Sequence, residues 1–132
     1  MTKPQITIKA PHIAPGTTLS DALDILKNVS SQIEKHDDKN ETFYKVSCDV
    51  FEMGFYEEDG KVKAVWYNDP IGRKSQDGIN MKVTLYLSRY GEIDDWEDGI
   101  NNGWIQFFIN NKTNVGMAYG LHKDAIRFNF LK

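Results

Sequence analysis

The apolar positions of this chain follow two rhythms. Leu19, Ala22, Leu23, Ile25, Leu26, Val29 and Ile33 recur at spacings of three and four, the period of one face of an α-helix. Thr18 stands where a capping hydroxyl is needed, and Asp21, three residues on, can reach back in a capping-box arrangement. Asp21 and Asp24 also suit the positive end of the helix dipole. The spacing predicts a helix that fades near Lys35, with "HDDKNE" after it as a polar loop. From there on the period is two. "FYKVSCDVF" places Tyr44, Val46, Cys48 and Val50 on one face, and the alternation shifts near Gly54, which predicts a bulge within Phe51–Gly54. "KVKAVWY" places Val62, Ala64 and Trp66 together, and "MKVTLYLSRY" alternates through Val83, Leu85 and Leu87. "WIQFFIN" and "VGMAYG" flank "NKTN", and "AIRFNF" aligns Ile126, Phe128 and Phe130.

The punctuation between these runs sets their connections. Asp59-Gly60, between two strand-like runs, is the turn chemistry of a two-residue hairpin, and "NKTN" reads as the turn of a second one. "NDPIGRKSQDGIN" (Asn68–Asn80) is a Pro/Gly-rich loop carrying Arg73 and Lys74. Ahead of the helix, Ile6–Ile8 is a short strand candidate, broken by Pro11, Pro15 and Gly16. Short connections imply antiparallel neighbours. The fold class that follows is α+β: one N-terminal amphipathic helix packed on a curved antiparallel sheet of about six strands, with residues 1–132 forming a single domain.

Length and composition bound the rest. At 132 residues and 40% hydrophobic content, the chain can bury a core without staples. No apolar run approaches the roughly 20 residues that span a bilayer, and "MTKPQITIKAPH" lacks the apolar stretch of a secretory signal. The one cysteine, Cys48, has no internal disulfide partner. These features predict a cytoplasmic protein that does not engage a membrane. A net charge of −3 argues against a general nucleic-acid binder. Charge alternates in blocks: residues 37–60 carry eight acids and two bases, residues 61–90 six bases and two acids, and residues 105–132 four bases and one acid. Charge pairing across neighbouring strands accounts for such blocks.

The densest block is "GEIDDWEDGINNGW". Glu92, Asp94, Asp95, Glu97 and Asp98 put five carboxylates in seven residues around Trp96, with no base among them. A calcium loop of the EF-hand type started at Asp94 would have Asp98 and Gly99 in place but fails at Trp96 and Ile105. Acid–base catalysis needs two carboxyls in unlike environments, one of them buried, and a run of solvated acids supplies no such split. Two readings stay open: a solvated loop whose Trp96 folds back onto the sheet, or a docking face in which the acids steer a basic partner and Trp96 anchors it. The acidic turn "FYEEDG" extends the second reading through Glu57 and Glu58, with Phe55 and Tyr56 as further aromatic anchors.

Other candidates are weaker. Asp49, Asp59 and Lys61 have the order of one metal-nuclease pattern, but Asp59 and Lys61 straddle the hairpin turn that already explains them. His12, His36 and His122 lack metal-ligand spacing to one another or to Cys48. His122 with Asp124 could act as an acid–base pair, although a solvated turn accounts for both. Cys48 lies on the apolar face of its strand, which predicts an inert buried thiol. The Arg73–Lys74 loop could meet a phosphate but has no helix after it to aim backbone N–H groups. No nucleophile elbow, phosphate-binding loop or dinucleotide glycine pattern occurs.

Taken as a whole, and on "FYEEDGKVKAVWYNDP", "GEIDDWEDGINNGW" and "MAYGLHKDAIRFNF", the chain resembles the small cytosolic immunity proteins of bacterial toxin systems, including the contact-dependent inhibition and polymorphic-toxin type. An anti-defence phage protein would share the same texture. The resemblance implies a cognate toxin, often a nuclease, blocked by a tight complex. It brings no diagnostic motif, so no functional residue is carried over from it. The expectation is a non-catalytic binding protein without metal or cofactor. Its partner would be a basic protein, met by Glu57, Glu58, Glu92, Asp94, Asp95, Trp96, Glu97 and Asp98. The alternative is a small-ligand-binding or hydrolytic protein that uses the concave side of the sheet.

Overall fold

The computed structural model describes residues 10–47, 51–70, 75–120 and 125–130. Helix α1 (Leu19–Lys27) comes first, then four strands: β1 (Glu34–Asp38), β2 (Glu41–Ser47), β3 (Glu52–Glu58) and β4 (Lys61–Asn68). Helix α2 (Gln76–Arg89) and a short 3-10 turn (Ile93–Asp95) lead to β5 (Trp96–Asn101), β6 (Ile105–Asn110), β7 (Val115–Gly120) and β8 (Ala125–Phe130). The fold is α+β and mostly sheet; among the described residues it has two helices and an open eight-stranded sheet, where one helix and about six strands were expected, in the order β1-β2-β3-β4-β8-β7-β6-β5. Every strand pair is antiparallel. The candidate strand at Ile6–Ile8 lies outside the described residues.

Both expected hairpins form. Asp59 and Gly60 take φ of 55° and 79°, the left-handed pair a tight turn between twisted strands needs. Glu57 supports that turn by accepting from the Gly60 N–H at 3.3 Å. β6 and β7 pair across "NKTN" with Asn110 opposite Val115.

Three expectations are corrected. "MKVTLYLSRY" is not a strand: it belongs to α2, which also takes Gln76–Asn80 from the expected Asn68–Asn80 loop, so a helix does follow Arg73 and Lys74 in the chain, and Ser75 caps it by accepting from Gly78 N–H at 2.9 Å. The inward residues of α2 are Lys82, Tyr86, Leu87 and the C-cap Tyr90, with Ile79 and Val83 packed alongside. That is a helical stripe whose members include a lysine and two tyrosines. The first helix stops at Lys27, and part of the expected polar loop is instead β1, "EKHDD", an edge strand without one apolar residue. Its charges blunt an otherwise open edge. The bulge falls later than Phe51–Gly54. β2 and β3 stay in register from Glu52 to Glu57, and the slip lies opposite Tyr56 and Glu57, where Lys63 of β4 is the extra residue. Lys63 therefore separates Val62, on the core face, from Ala64 and Trp66, which turn to the other face.

Gly54 has a different reason. A Cβ there would collide with the Tyr44 carbonyl and lie 2.7 Å from Trp66 Cζ2, so the Trp66 indole packs against a position that only glycine can fill.

The register sorts side chains into rows across the sheet. On the core face one row runs Tyr44, Phe55, Val65, Phe128, Met117, Phe108. Ala22 and Leu26 of α1, and Tyr86, Leu87 and Tyr90 of α2, join the same buried cluster. Tyr90 stacks on Phe128 at 3.8 Å between ring centres. The segment before α1 is tied down as well. Gly16 N–H donates to Val62 O and Val62 N–H to Thr17 O, both at 2.8 Å, so this segment covers the part of β4 that β8 does not reach.

Candidate functional site

With α1 and α2 on one face, the opposite face has no helix against it among the described residues. Its middle row runs Lys45, Gly54, Trp66, Arg127, Ala118, Phe107. The next row runs Tyr56, Ala64, Asn129, Gly116, Ile109, Glu97. Small residues at Gly116, Ala118 and Gly120 of β7 leave a trough between taller walls. On the β3–β4 side a cavity of about 570 Å³ is lined by Tyr56, Trp66, Trp104, Ile105, Ala118 and Arg127, among others. On the β5–β6 side a second, of about 420 Å³, is lined by Ile100, Phe107, Ile109 and Gly116, among others. Both fall in the range of small-molecule sites, ~300–1,000 Å³. Ile100 and Trp104 are 71% and 70% exposed, so the apolar surface continues onto the β5–β6 loop.

The polar groups of this face divide into occupied and unoccupied. Glu52 takes Lys45 Nζ at 3.4 Å, Ser47 Oγ at 2.9 Å and Asn68 Nδ2 at 3.2 Å. Arg127 makes no ion pair with a described carboxylate, and its guanidinium lies 5.0 Å from the centre of the Tyr56 ring. Trp66 Nε1 is shielded from solvent and has no hydrogen-bond partner among the described residues.

The acidic stretch forms the β5 edge of the same sheet. Glu92, Asp94, Glu97 and Asp98 are exposed, and Asp95 is half-buried. The stretch is not without a base: Lys112, from the β6–β7 turn, pairs with Asp95 at 3.1 Å. Trp96 does not project as an anchor. It is half-buried against the core, edge-on to Phe128, with Nε1 donating to Leu87 O at 2.9 Å. Glu57 and Glu58 do not join the cluster. Four strands separate β3 from β5, a distance of about 24 Å along the sheet at ~4.8 Å per step. Of the aromatic pair beside them, Phe55 is core and Tyr56 lines the trough. Sequence reasoning missed Trp66, Trp104, Phe107 and Arg127 as site residues. The signal available was the small-residue alternation of "VGMAYG", which marks a low strand on one face.

A second polar cluster sits between α2 and the sheet. Lys82 is fully buried, and its Nζ donates to Asp69 O at 2.6 Å while Tyr86 Oη donates to Asp69 Oδ2 at 2.8 Å. Nearby, the Tyr67 and Tyr90 hydroxyls stand 2.6 Å apart; Tyr90 donates to Ile13 O at 2.8 Å and Tyr67 to Pro11 O at 2.9 Å. Burial, then the Asp69 charge, push Tyr86 far above the ordinary phenol range. Burial, then Tyr67, do the same to Tyr90. These hydroxyls are permanent donors that hold α2 and the segment before α1 to the sheet, and none of them lines either trough cavity.

His12 rests on Tyr90 at 4.5 Å. Partial burial and the Arg89 charge hold its pKa below the usual imidazole value. Among the described residues no three His, Cys, Asp or Glu side chains converge as a metal site, and no helix is long and apolar enough to cross a membrane. Cys48, Asp49, Arg73, Lys74, His122 and Asp124 lie outside the described residues. Comparison with protein-family models, with curated proteins and with solved structures finds no match to this chain.

Proposed function

We propose that this protein is a non-catalytic binding protein that occupies a basic protein partner, with the role of a cytoplasmic immunity protein against a cognate toxin domain. One observation carries the reading. The β5 edge joins exposed acids (Glu92, Asp94, Glu97, Asp98) to an apolar patch on the helix-free face, made of exposed Ile100 and Phe107 and half-buried Ile109. Protein interfaces combine an apolar, well-packed centre with a polar rim, and acids at the rim raise the association rate of a basic partner. The anchors on this reading are Ile100 and Phe107. Trp96 serves the fold behind them, and Glu57 and Glu58 belong to the β3–β4 hairpin, outside the contact.

The test is functional rescue. The product of the reading frame adjacent to this one is expressed until growth stops, and this chain is co-expressed. Rescue is expected from the parent and from Glu57→Lys with Glu58→Lys. Loss of rescue is expected from Asp94→Lys with Asp98→Lys and from Phe107→Asp, each melting within a few degrees of the parent. Slower association that no longer depends on salt is the expected signature of the acid variant. Rescue undiminished in both edge variants would remove the interface from this edge. An adjacent product that neither arrests growth nor binds would remove the immunity role.

A further inference from the structure

We propose that the cavity on the β3–β4 side of the trough is a binding site for a small planar aromatic acid. The proposal stands independently of the protein-interface reading, because it uses the other end of the face, and of the residues it names only Ala118 also lines the β5–β6 cavity. Two observations meet there. The walls are aromatic: Tyr56, Trp66 and Trp104 enclose about 570 Å³ above the small side chain of Ala118, a shape that favours a flat ring system over a branched aliphatic one. Arg127 stands directly opposite Trp66 across the β4–β8 ladder, so the two side chains leave the backbone about 5 Å apart on one face. Its guanidinium is steadied by the Tyr56 ring and has no described carboxylate to neutralise it.

An exposed cation without a described counter-charge, at the wall of an aromatic cavity, matches a flat ring that carries a carboxylate. The Trp66 indole is held in place by packing against Gly54, where a Cβ would come within 2.7 Å of its Cζ2. The site is therefore largely formed before the ligand arrives, which limits the ordering cost of binding.

The probe is 2-naphthoate, followed through the indole N–H signals of the 15N-labelled protein. There are three tryptophans, and the Trp66 signal is the one lost in Trp66→Phe. Saturable movement of that signal, with the Trp96 signal still, is the expected result. Arg127→Gln should weaken binding about tenfold or more, the scale of one charge-assisted hydrogen bond. Neutral 2-naphthamide should be weaker by a similar factor. Ala118→Leu, which fills the trough from an accessible face, should abolish binding while leaving the spectrum dispersed. The acid-edge variants should bind naphthoate as the parent does, so the two proposals fail separately. No saturable shift at the solubility limit of the probe overturns the site. Equal binding of naphthamide, or no loss in Arg127→Gln, overturns the acid specificity. Tighter binding of a short peptide ending in phenylalanine than of naphthoate overturns a free small molecule as the ligand.

Discussion

Gly54→Ala tests both the sheet register and the trough built on it. Alanine at a strand position with negative φ would ordinarily stabilise slightly, by ~0.4–1 kcal/mol, because the unfolded chain has less freedom to lose. Here the added methyl meets the Tyr44 carbonyl of the neighbouring strand, Lys45 Cβ at 3.0 Å and Trp66 Cζ2 at 2.7 Å. The indole can tilt, but the carbonyl moves only if β2 and β3 spread. Overpacking of this kind costs ~1–3 kcal/mol, and contact with backbone places it at the upper end, for a net loss of about 2 kcal/mol. Unfolding entropy near ~2.1 cal/mol/K per residue over 132 residues makes that about 7 °C in Tm. Scanning calorimetry of parent and variant reads it directly. Adding Trp66→Leu should recover only part of the loss, since it clears the indole and leaves the carbonyl. A Gly54→Ala protein melting at or above the parent would show that the strands part freely at this row, and the close-approach account would be wrong.

Tyr90→Phe leaves the buried Ile13 carbonyl without its donor, at a cost of ~1–3 kcal/mol, and should lower Tm by several degrees in the same calorimetric assay. A Tm unchanged to within a degree would show that water replaces the hydroxyl. His12, with its pKa held below the imidazole value by partial burial and then by Arg89, binds protons less readily folded than unfolded. Its contribution is present above about pH 6.5 and is lost as pH falls through the folded value. Urea midpoints should therefore fall between pH 7 and pH 5, and His12→Gln should flatten part of that fall; an identical slope in the variant would remove His12 as a source. Trp96→Phe loses the hydrogen bond to Leu87 O, worth about 1 kcal/mol. It should destabilise the fold yet still support rescue, and normal stability with lost rescue would return Trp96 to the contact.

The sheet was legible where one face met the core and the other met water or a turn marked its end. Asp59-Gly60, the β6–β7 hairpin, Tyr44 with Val46, and Ile126 with Phe128 are of that kind. Helix α2 was hidden because its stripe depends on Lys82, Tyr86 and Tyr90. A lysine looks like solvent-facing chemistry until a buried Asp69 carbonyl accepts from it. Meanwhile Val83, Leu85 and Leu87 imitate a strand. Strand β1 was invisible for the opposite reason: its five residues carry no apolar side chain, and only the partner β2 makes them a strand. The acidic edge could be read as acidic, but its partner Lys112 is brought in by the β6–β7 turn, and its distance from Glu57 is a property of strand order. The trough needed the full register, because Trp66 and Arg127 are 61 residues apart (127 less 66) and meet only across the β4–β8 ladder.

That ladder gives the molecule a seam. The strands β1 to β4 form one meander of consecutive neighbours and β5 to β8 another, and within the sheet the two are joined by β4 against β8 alone. Closing such a join over some sixty residues costs on the order of 4 kcal/mol of chain entropy, so hairpins on either side can form without it and it cannot form without them. The rows of the helix-free face cross it at Ala64–Asn129, Trp66–Arg127 and Asn68–Ala125. The helix-free face is consequently a property of the assembled molecule and of neither half. A molecule resting on Trp66 and Arg127 together acts as a staple across the join, and its affinity measures how firmly the two halves are held.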